Sequence, residues 1–214
     1  GKGILSCDGY GSLIMWDLAT GNARWAARFK KRGGPTSVDV GPDGKRFIWS
    51  SNNGTVLVCD CATGAELGSF GERREGALLV ARFSRDGRFI AAGGDGRIIR
   101  LWDAATLHPV REFAGHTDGV TALCMTSDGR SIISGSRDNT ARVWDAVGGG
   151  QTTVFAGHNF IVNGVSASGD SKLAATSSSD HTLQAWEIAT GKVLRKTESF
   201  GAGFTCVAFH PDGR

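Results

Sequence analysis

"SGSRDNTARVWD", residues 134–145, sets Asp138 six residues ahead of Trp144 and a second carboxylate, Asp145, directly behind it. Acidic residues beside an indole in a polar turn can be a catalytic site or a piece of architecture. Recurrence decides between them. Trp-Asp pairs stand at 16–17, 102–103 and 144–145, Trp186-Glu187 closes the series, and Cys59-Asp60 fills its gap, so the marker returns every 42 or 43 residues. A turn aspartate falls sixteen residues ahead of four of these positions, at Asp43, Asp86, Asp128 and Asp170, and Asp212 in "HPDGR" repeats it again. Two independent markers in one register define a repeat protein.

Each repeat parses as four short strands. "GVTALCM" (119–125) is apolar and β-rich, the "TSDGR" turn follows, then "SIISGS" (131–136), "TARVWD" (140–145) and "QTTVF" (151–155). Strands of about five residues split by Asp-Gly and Gly turns are hairpin chemistry. No stretch carries helical periodicity. The 32 glycines against four prolines agree with many tight turns and no collagen-like period. With 40% hydrophobic and 21% charged residues among 214, the chain is of globular composition, and a net charge of +3 is too mild to name a nucleic-acid or membrane partner. The five cysteines, Cys7, Cys59, Cys61, Cys124 and Cys206, form no CxxC pair and are read as reduced thiols of an intracellular protein. The longest apolar run, 77–81, is far too short to cross a bilayer, and the first residues carry no signal-peptide pattern.

The chain resembles the WD40-repeat β-propeller family over essentially its whole length. Gly115-His116 with Trp144-Asp145, Gly157-His158 with Trp186-Glu187, and the Asp-Gly turns at 43–44, 86–87, 128–129 and 212–213 carry the resemblance. It implies an all-β fold: a single region over 1–214 with five four-stranded blade repeats ending near Trp16, Cys59, Trp102, Trp144 and Trp186. The expected whole is part of a seven- or eight-bladed propeller, the alternative being a closed five-bladed ring. A strand over 204–209 then either begins a further blade or closes the ring. The resemblance also answers the opening question, because it implies a buried network of His, Ser or Thr, Asp and Trp in a blade. By register that is His116, Ser134, Asp138 and Trp144, and again His158, Thr176, Asp180 and Trp186. Burial of an indole N–H and two imidazole nitrogens demands partners, which a hydroxyl and a carboxylate supply. The other blades depart from the pattern, with Lys31, Arg74 and Phe200 at the His position, Tyr10, Asn53 and Gly96 at the Asp position, and Cys59 at one Trp position.

No catalytic, cofactor or metal constellation is expected. A Ser-His-Asp hydrolase would not repeat its set, and no GxSxG is present. Cys59 and Cys61 are alternate strand residues without a second pair, and "GGDGR" (93–97) lacks the phosphate-loop lysine. The family implies a non-catalytic protein-interaction scaffold in a multiprotein assembly. A ubiquitin-ligase substrate adaptor is the alternative, and an enzyme a remote third. Some adaptors carry an arginine two residues after Trp-Asp; Ala19, Ala62, Ala105, Val147 and Ala189 stand there and count against that class.

The binding face implied by the family is the one holding the turn before each third strand and the loop before each first strand. Asn52, Asp95, Arg137 and Ser179 precede the turn Asp position and are expected to point into solvent, with Asp118 and Phe160 in the loops after Gly-His. Phe160 is either an interface anchor or packed on its own blade. Lys30, Lys31, Arg32, Arg73 and Arg74 fall in neighbouring loops of that face and suit an acidic segment of a protein partner, or else form a solvated rim; the lack of interleaved aromatics argues against nucleic acid. No targeting motif is present; the cytoplasm is the first expectation, ahead of nucleus, cilium or cytoskeleton.

Overall fold

A computed structural model describes residues 3–8, 10–29, 33–71, 76–199 and 201–210. They form nineteen antiparallel strands in five sheets. The first holds β1 (Gly3–Cys7), β2 (Ser12–Asp17) and β3 (Ala23–Arg28). The second holds β4 (Pro35–Val40), β5 (Arg46–Ser51), β6 (Val56–Asp60) and β7 (Glu66–Phe70). The third runs β8 (Leu78–Phe83), β9 (Phe89–Gly94), β10 (Ile99–Asp103) and β11 (Pro109–Phe113). The fourth runs β12 (Val120–Met125), β13 (Ser131–Ser136), β14 (Ala141–Asp145) and β15 (Gln151–Phe155). The fifth runs β16 (Val162–Ala167), β17 (Leu173–Ser178), β18 (Thr182–Glu187) and β19 (Val193–Glu198). Within every sheet, neighbours in sequence are neighbours in space. The inner strands β4, β8, β12 and β16 pack against one another in that order.

Two expectations are corrected. The first sheet has three strands rather than four: Gly3 pairs with Asp17 as Ser131 pairs with Asp145, so β1 stands at the second-strand position. Residues 204–209 carry no strand pairing among the described residues. Instead they bond to the fifth sheet: Phe204 N donates to Ser178 O, Asn163 Nδ2 to Phe204 O, and Phe209 N to Ser166 Oγ. Thr36 Oγ1 donates to Leu78 O and Thr121 Oγ1 to Val162 O between earlier inner strands in the same register. Residues 204–209 therefore hold the place of a next inner strand beside β16. With no second strand paired to them, they have single bonds and no ladder.

The core lies between sheets. Second strands read as nearly continuous buried runs (β5, β9, β13 and β17), because neighbouring sheets cover both of their faces. Outer-strand aromatics of one sheet meet the next: Phe70 lies on Trp102 at 4.6 Å, Phe113 on Trp144 at 5.9 Å and Phe155 on Trp186 at 4.8 Å between ring centroids. Trp25 on Phe47 and Phe29 on Trp49 join the first two sheets, placing both tryptophans in packing. Each such aromatic removes roughly 150–250 Å² from water and dominates its junction. On the first sheet the equivalent face is open, leaving Trp16 36% and Ile4 52% exposed.

The turn between second and third strands demands a left-handed residue. Gly11, Gly54, Arg97, Asn139 and His181 occupy it in the five sheets, all at φ between 62° and 87°. Glycine takes this region without a Cβ penalty and asparagine more easily than most residues.

Candidate interaction face

The turn Asp138-Asn139 and the loop Gly115–Gly119 are tied together from beneath. His116 Nδ1 lies 2.7 Å from Asp138 Oδ2, and its Nε2 lies 2.7 Å from Ser134 Oγ. Trp144 Nε1 donates to the same Ser134 Oγ at 2.9 Å. A carboxylate only accepts, so Nδ1 carries the imidazole hydrogen and Nε2 accepts from the serine hydroxyl. The bonds then run one way: indole to serine, serine to imidazole, imidazole to carboxylate. Asp138 also accepts the backbone N–H of Thr117 and both the N–H and the hydroxyl of Thr140.

The charge states follow from burial and these bonds. Burial pushes the His116 and His158 imidazoles below the ordinary histidine value, against the opposing pull of Asp138 and Asp180. Burial alone would raise Asp138, but the Thr140 and His116 bonds and the backbone N–H donors outweigh it and hold the carboxyl at about 2. Asp180 is depressed further for the same reasons, with Thr182 and Asn159 as donors. A neutral imidazole against an ionised aspartate is what the one-way chain of bonds requires.

The fifth sheet repeats most of this. His158 bonds Asp180 at 3.0 Å and Thr176 Oγ1 at 2.8 Å, and Asn159 N donates to Asp180. Trp186 does not join: its buried Nε1 has no hydrogen-bond partner, which corrects the expectation of a complete second tetrad. Thr176 is β-branched, which restricts its χ1, and its hydroxyl is engaged by His158 and the Gln184 carbonyl. Trp186 lies parallel to Phe155, at 3° between planes, whereas Trp144 is tilted 55° to Phe113. In the first sheet Trp16 Nε1 keeps the serine bond, to Ser6 Oγ. In the second, Asn53 takes the aspartate's turn role, accepting from Thr55 N and Oγ1. Sequence reasoning missed the threonine two residues after the turn acid. "DNT" (138–140), "DHT" (180–182) and "NGT" (53–55) carried that signal.

These networks fix the loops of one face. Arg137 and Asp95, expected to point separately into solvent, form an ion pair at 2.7 Å between the third and fourth sheets, each side chain about two-fifths exposed. Arg137 N donates to Gly119 O, so the pair sits against the loop of Asp118, whose carboxylate caps Gly119 N. Phe160 is 54% exposed while its carbonyl accepts from Ser178 Oγ, so the ring faces outward from a pinned backbone. Ser179 is half-buried and accepts from Asn163, and Asn52 Oδ1 accepts from Gly34 N; these two serve their own sheets. Lys30, Lys31, Arg32, Arg73, Arg74 and Phe200 lie outside the described residues. Burial raises the Cys59 thiol to about 12 and the Cys61 thiol to about 11, so both stay protonated at neutral pH. Among the described residues, no helix is long and apolar enough to cross a membrane.

Sheets of three or four antiparallel strands, stacked through inner-strand contacts, with a complete buried His-Ser-Asp-Trp network in one of them, define a propeller-blade repeat protein. The family described as "WD domain, G-beta repeat" matches residues 74–103, 107–145 and 149–187, half of the chain, and the chain belongs to that WD40 family. It is 30% identical over 115 residues to U3 snoRNP-associated protein-like YAO of Arabidopsis thaliana, covering 44% of this chain and 22% of that protein. It is 26% identical over 113 residues to U3 snoRNP-associated protein-like YAOH of Oryza sativa subsp. japonica, covering 53% and 17%. Pre-mRNA-processing factor 19 homolog 2 of Arabidopsis thaliana is 30% identical over 88 residues, covering 41% and 17%. The chain thus spans about a fifth of the length of these curated relatives.

Proposed function

We propose that this chain is a non-catalytic platform that holds other proteins in a multiprotein assembly, through the face bearing Asp118, Arg137, Asp95 and Phe160. The observation that carries this is the half-exposed Phe160 on a loop whose backbone is pinned by a buried network. An exposed aromatic on a pinned backbone has the character of an interface anchor, and little ordering entropy is lost on contact. The His116-Ser134-Asp138 and His158-Thr176-Asp180 sets are spent on architecture, since their polar atoms are engaged by one another and by neighbouring loop and turn groups. The relatives' names speak of a small nucleolar ribonucleoprotein and of pre-mRNA processing. They support placing the assembly among ribonucleoprotein particles, and the compartment in the nucleus ahead of the cytoplasm. The basic loop residues Lys30, Lys31, Arg32, Arg73 and Arg74 fit an acidic segment of the same protein partner. The ubiquitin-ligase alternative gains no support from those names. The test is affinity purification with Phe160→Ala and Arg137→Glu variants against the unaltered chain. Loss of a shared set of protein partners with unchanged melting supports the platform; an unaltered partner set overturns the assignment of this face.

A further inference from the structure

Each junction between sheets contains one slot, formed where an outer-strand residue meets the turn after the next sheet's third strand. Trp25, Gly68, Arg111 and Thr153 are equivalent by register, pairing with Met15, Val58, Leu101 and Val143. The turn opposite presents Gly64, Leu107, Gly149 and Gly191 in the same order. At the first junction the Trp25 indole lies over Gly64, 2.9 Å from where a Cβ would stand, stacks on Phe47 at 5.6 Å and donates to Cys61 O. At the second, Leu107 reaches across to Gly68, filling from the other side. Leu107 does so at φ 59°, a left-handed conformation costly for a residue of its bulk. At the third, the Arg111 guanidinium lies against Gly149.

The fourth junction has no such filler. Thr153 faces Gly191, and Ala174 stands where Phe47 stands at the first. The result is a cleft of about 510 Å³ lined by Val143, Thr153, Leu173 and Ile188, with Lys172 and Glu187 also along its wall. Its volume is that of a ligand site, and its mostly apolar exposed surface is edged by the hydroxyls of Ser131, Thr152 and Ser171. Val143 and Ile188 are buried in the cleft floor, while the Lys172 side chain is exposed.

We propose that this cleft is a second protein-binding site, taking one large aromatic side chain, tryptophan by preference, from a partner's peptide segment. The first junction displays the occupant: an indole flat over the turn glycine. The chain fills the other three slots with a bulky side chain of its own, once with a residue in a disfavoured conformation. The site is separate from the face that carries Phe160 and does not depend on it.

The test titrates N-acetyl-tryptophanamide, with N-acetyl-lysinamide as control, into the full chain while methyl resonances are followed by NMR. The tryptophan probe is expected to shift Val143, Leu173 and Ile188 saturably, with a dissociation constant on the order of 1 mM. The lysine probe should bind at least about tenfold more weakly. Thr153→Trp, which supplies the missing indole from within, should abolish the response and raise the melting temperature; Thr153→Arg, copying Arg111, serves if that variant fails to fold. Phe160→Ala should leave the response unchanged, so the two sites fail or succeed independently. No saturable shift at these methyls, a shift that survives in a folded Thr153 variant, or equal binding of both probes overturns the proposal.

Discussion

Asp138→Ala removes the acceptor on which the fourth sheet's loop and turn converge. Four hydrogen bonds end on this carboxylate, from His116 Nδ1, Thr117 N, Thr140 N and Thr140 Oγ1. Thr117 lies in an exposed loop and regains water. His116, with its side chain 1% exposed, does not. A buried donor left alone costs about 1–3 kcal/mol and an ordinary net bond about 1 kcal/mol. The loss at His116 and Thr140 then comes to about 2–4 kcal/mol. For a chain of this length that lowers the melting temperature by about 4–16 °C. Asp170→Ala is the control: this exposed turn aspartate accepts from Ser168 Oγ and Lys172 N and holds no imidazole, so its cost stays near that of one ordinary net bond, about 1 kcal/mol, below that of Asp138→Ala. Circular dichroism melts and urea midpoints at pH 7 measure both. A shift below about 2 °C for Asp138→Ala, or loss of partner binding with wild-type melting, would refute the architectural role.

Thr176→Ser frees the hydroxyl from its β-branch to accept Trp186 Nε1 as Ser134 accepts Trp144, so the variant should melt at or above the wild-type temperature; a clear loss of stability would count against this account of the orphaned indole. Phe155→Ala removes a ring 3% exposed and stacked on Trp186, with an expected cost of about 3–5 kcal/mol in urea unfolding. Stability should fall on acidification. His116 and His158 resist protonation when folded, so the loss starts near the ordinary histidine range, about pH 6.5, and Asp138 adds to it as pH drops from about 4 towards 2. The Asp138 displacement, from 3.8 to about 2, is worth about 2 kcal/mol, and melts across pH 8 to 4 would contradict the account if stability rose between pH 7 and 5. Changing Lys30, Lys31, Arg32 and Arg73 together to Glu should slow association with an acidic partner and flatten its salt dependence; on-rates unchanged across a salt series would leave the cluster as a solubility feature.

The strands were legible because period and turn chemistry agree: "SIISGS" is β13 without adjustment, and the turn acids Asp43, Asp86, Asp128 and Asp170 announce β5, β9, β13 and β17. The His116 set was legible through the family resemblance, which implies such a buried network at these register positions. The failure at Trp186 was not, because serine and threonine are equivalent as hydroxyls and differ only in rotamer freedom, which shows itself in three dimensions. The Asp95–Arg137 pair escaped notice for a related reason. The residues are 42 apart and become neighbours only when successive sheets stack, and the repeat register pointed to equivalent roles rather than opposite charges. The cleft at the fourth junction could have been found by aligning Trp25, Gly68, Arg111 and Thr153, but only with the outer-strand register known.

Those four unlike residues have a consequence for how the chain assembles. Tandem repeats of similar sequence can dock in the wrong order during folding, and repeat proteins misfold in this way. Here an indole that needs a glycine opposite, a leucine that needs a glycine on the other strand, and a guanidinium that needs room beside a third glycine cannot exchange places without clash or void. Every interface but the fourth carries its own address, so a misordered pair is penalised before the sheets close on one another. The address system ends at Thr153, and misdocking of the fifth sheet is the error this chain guards against least.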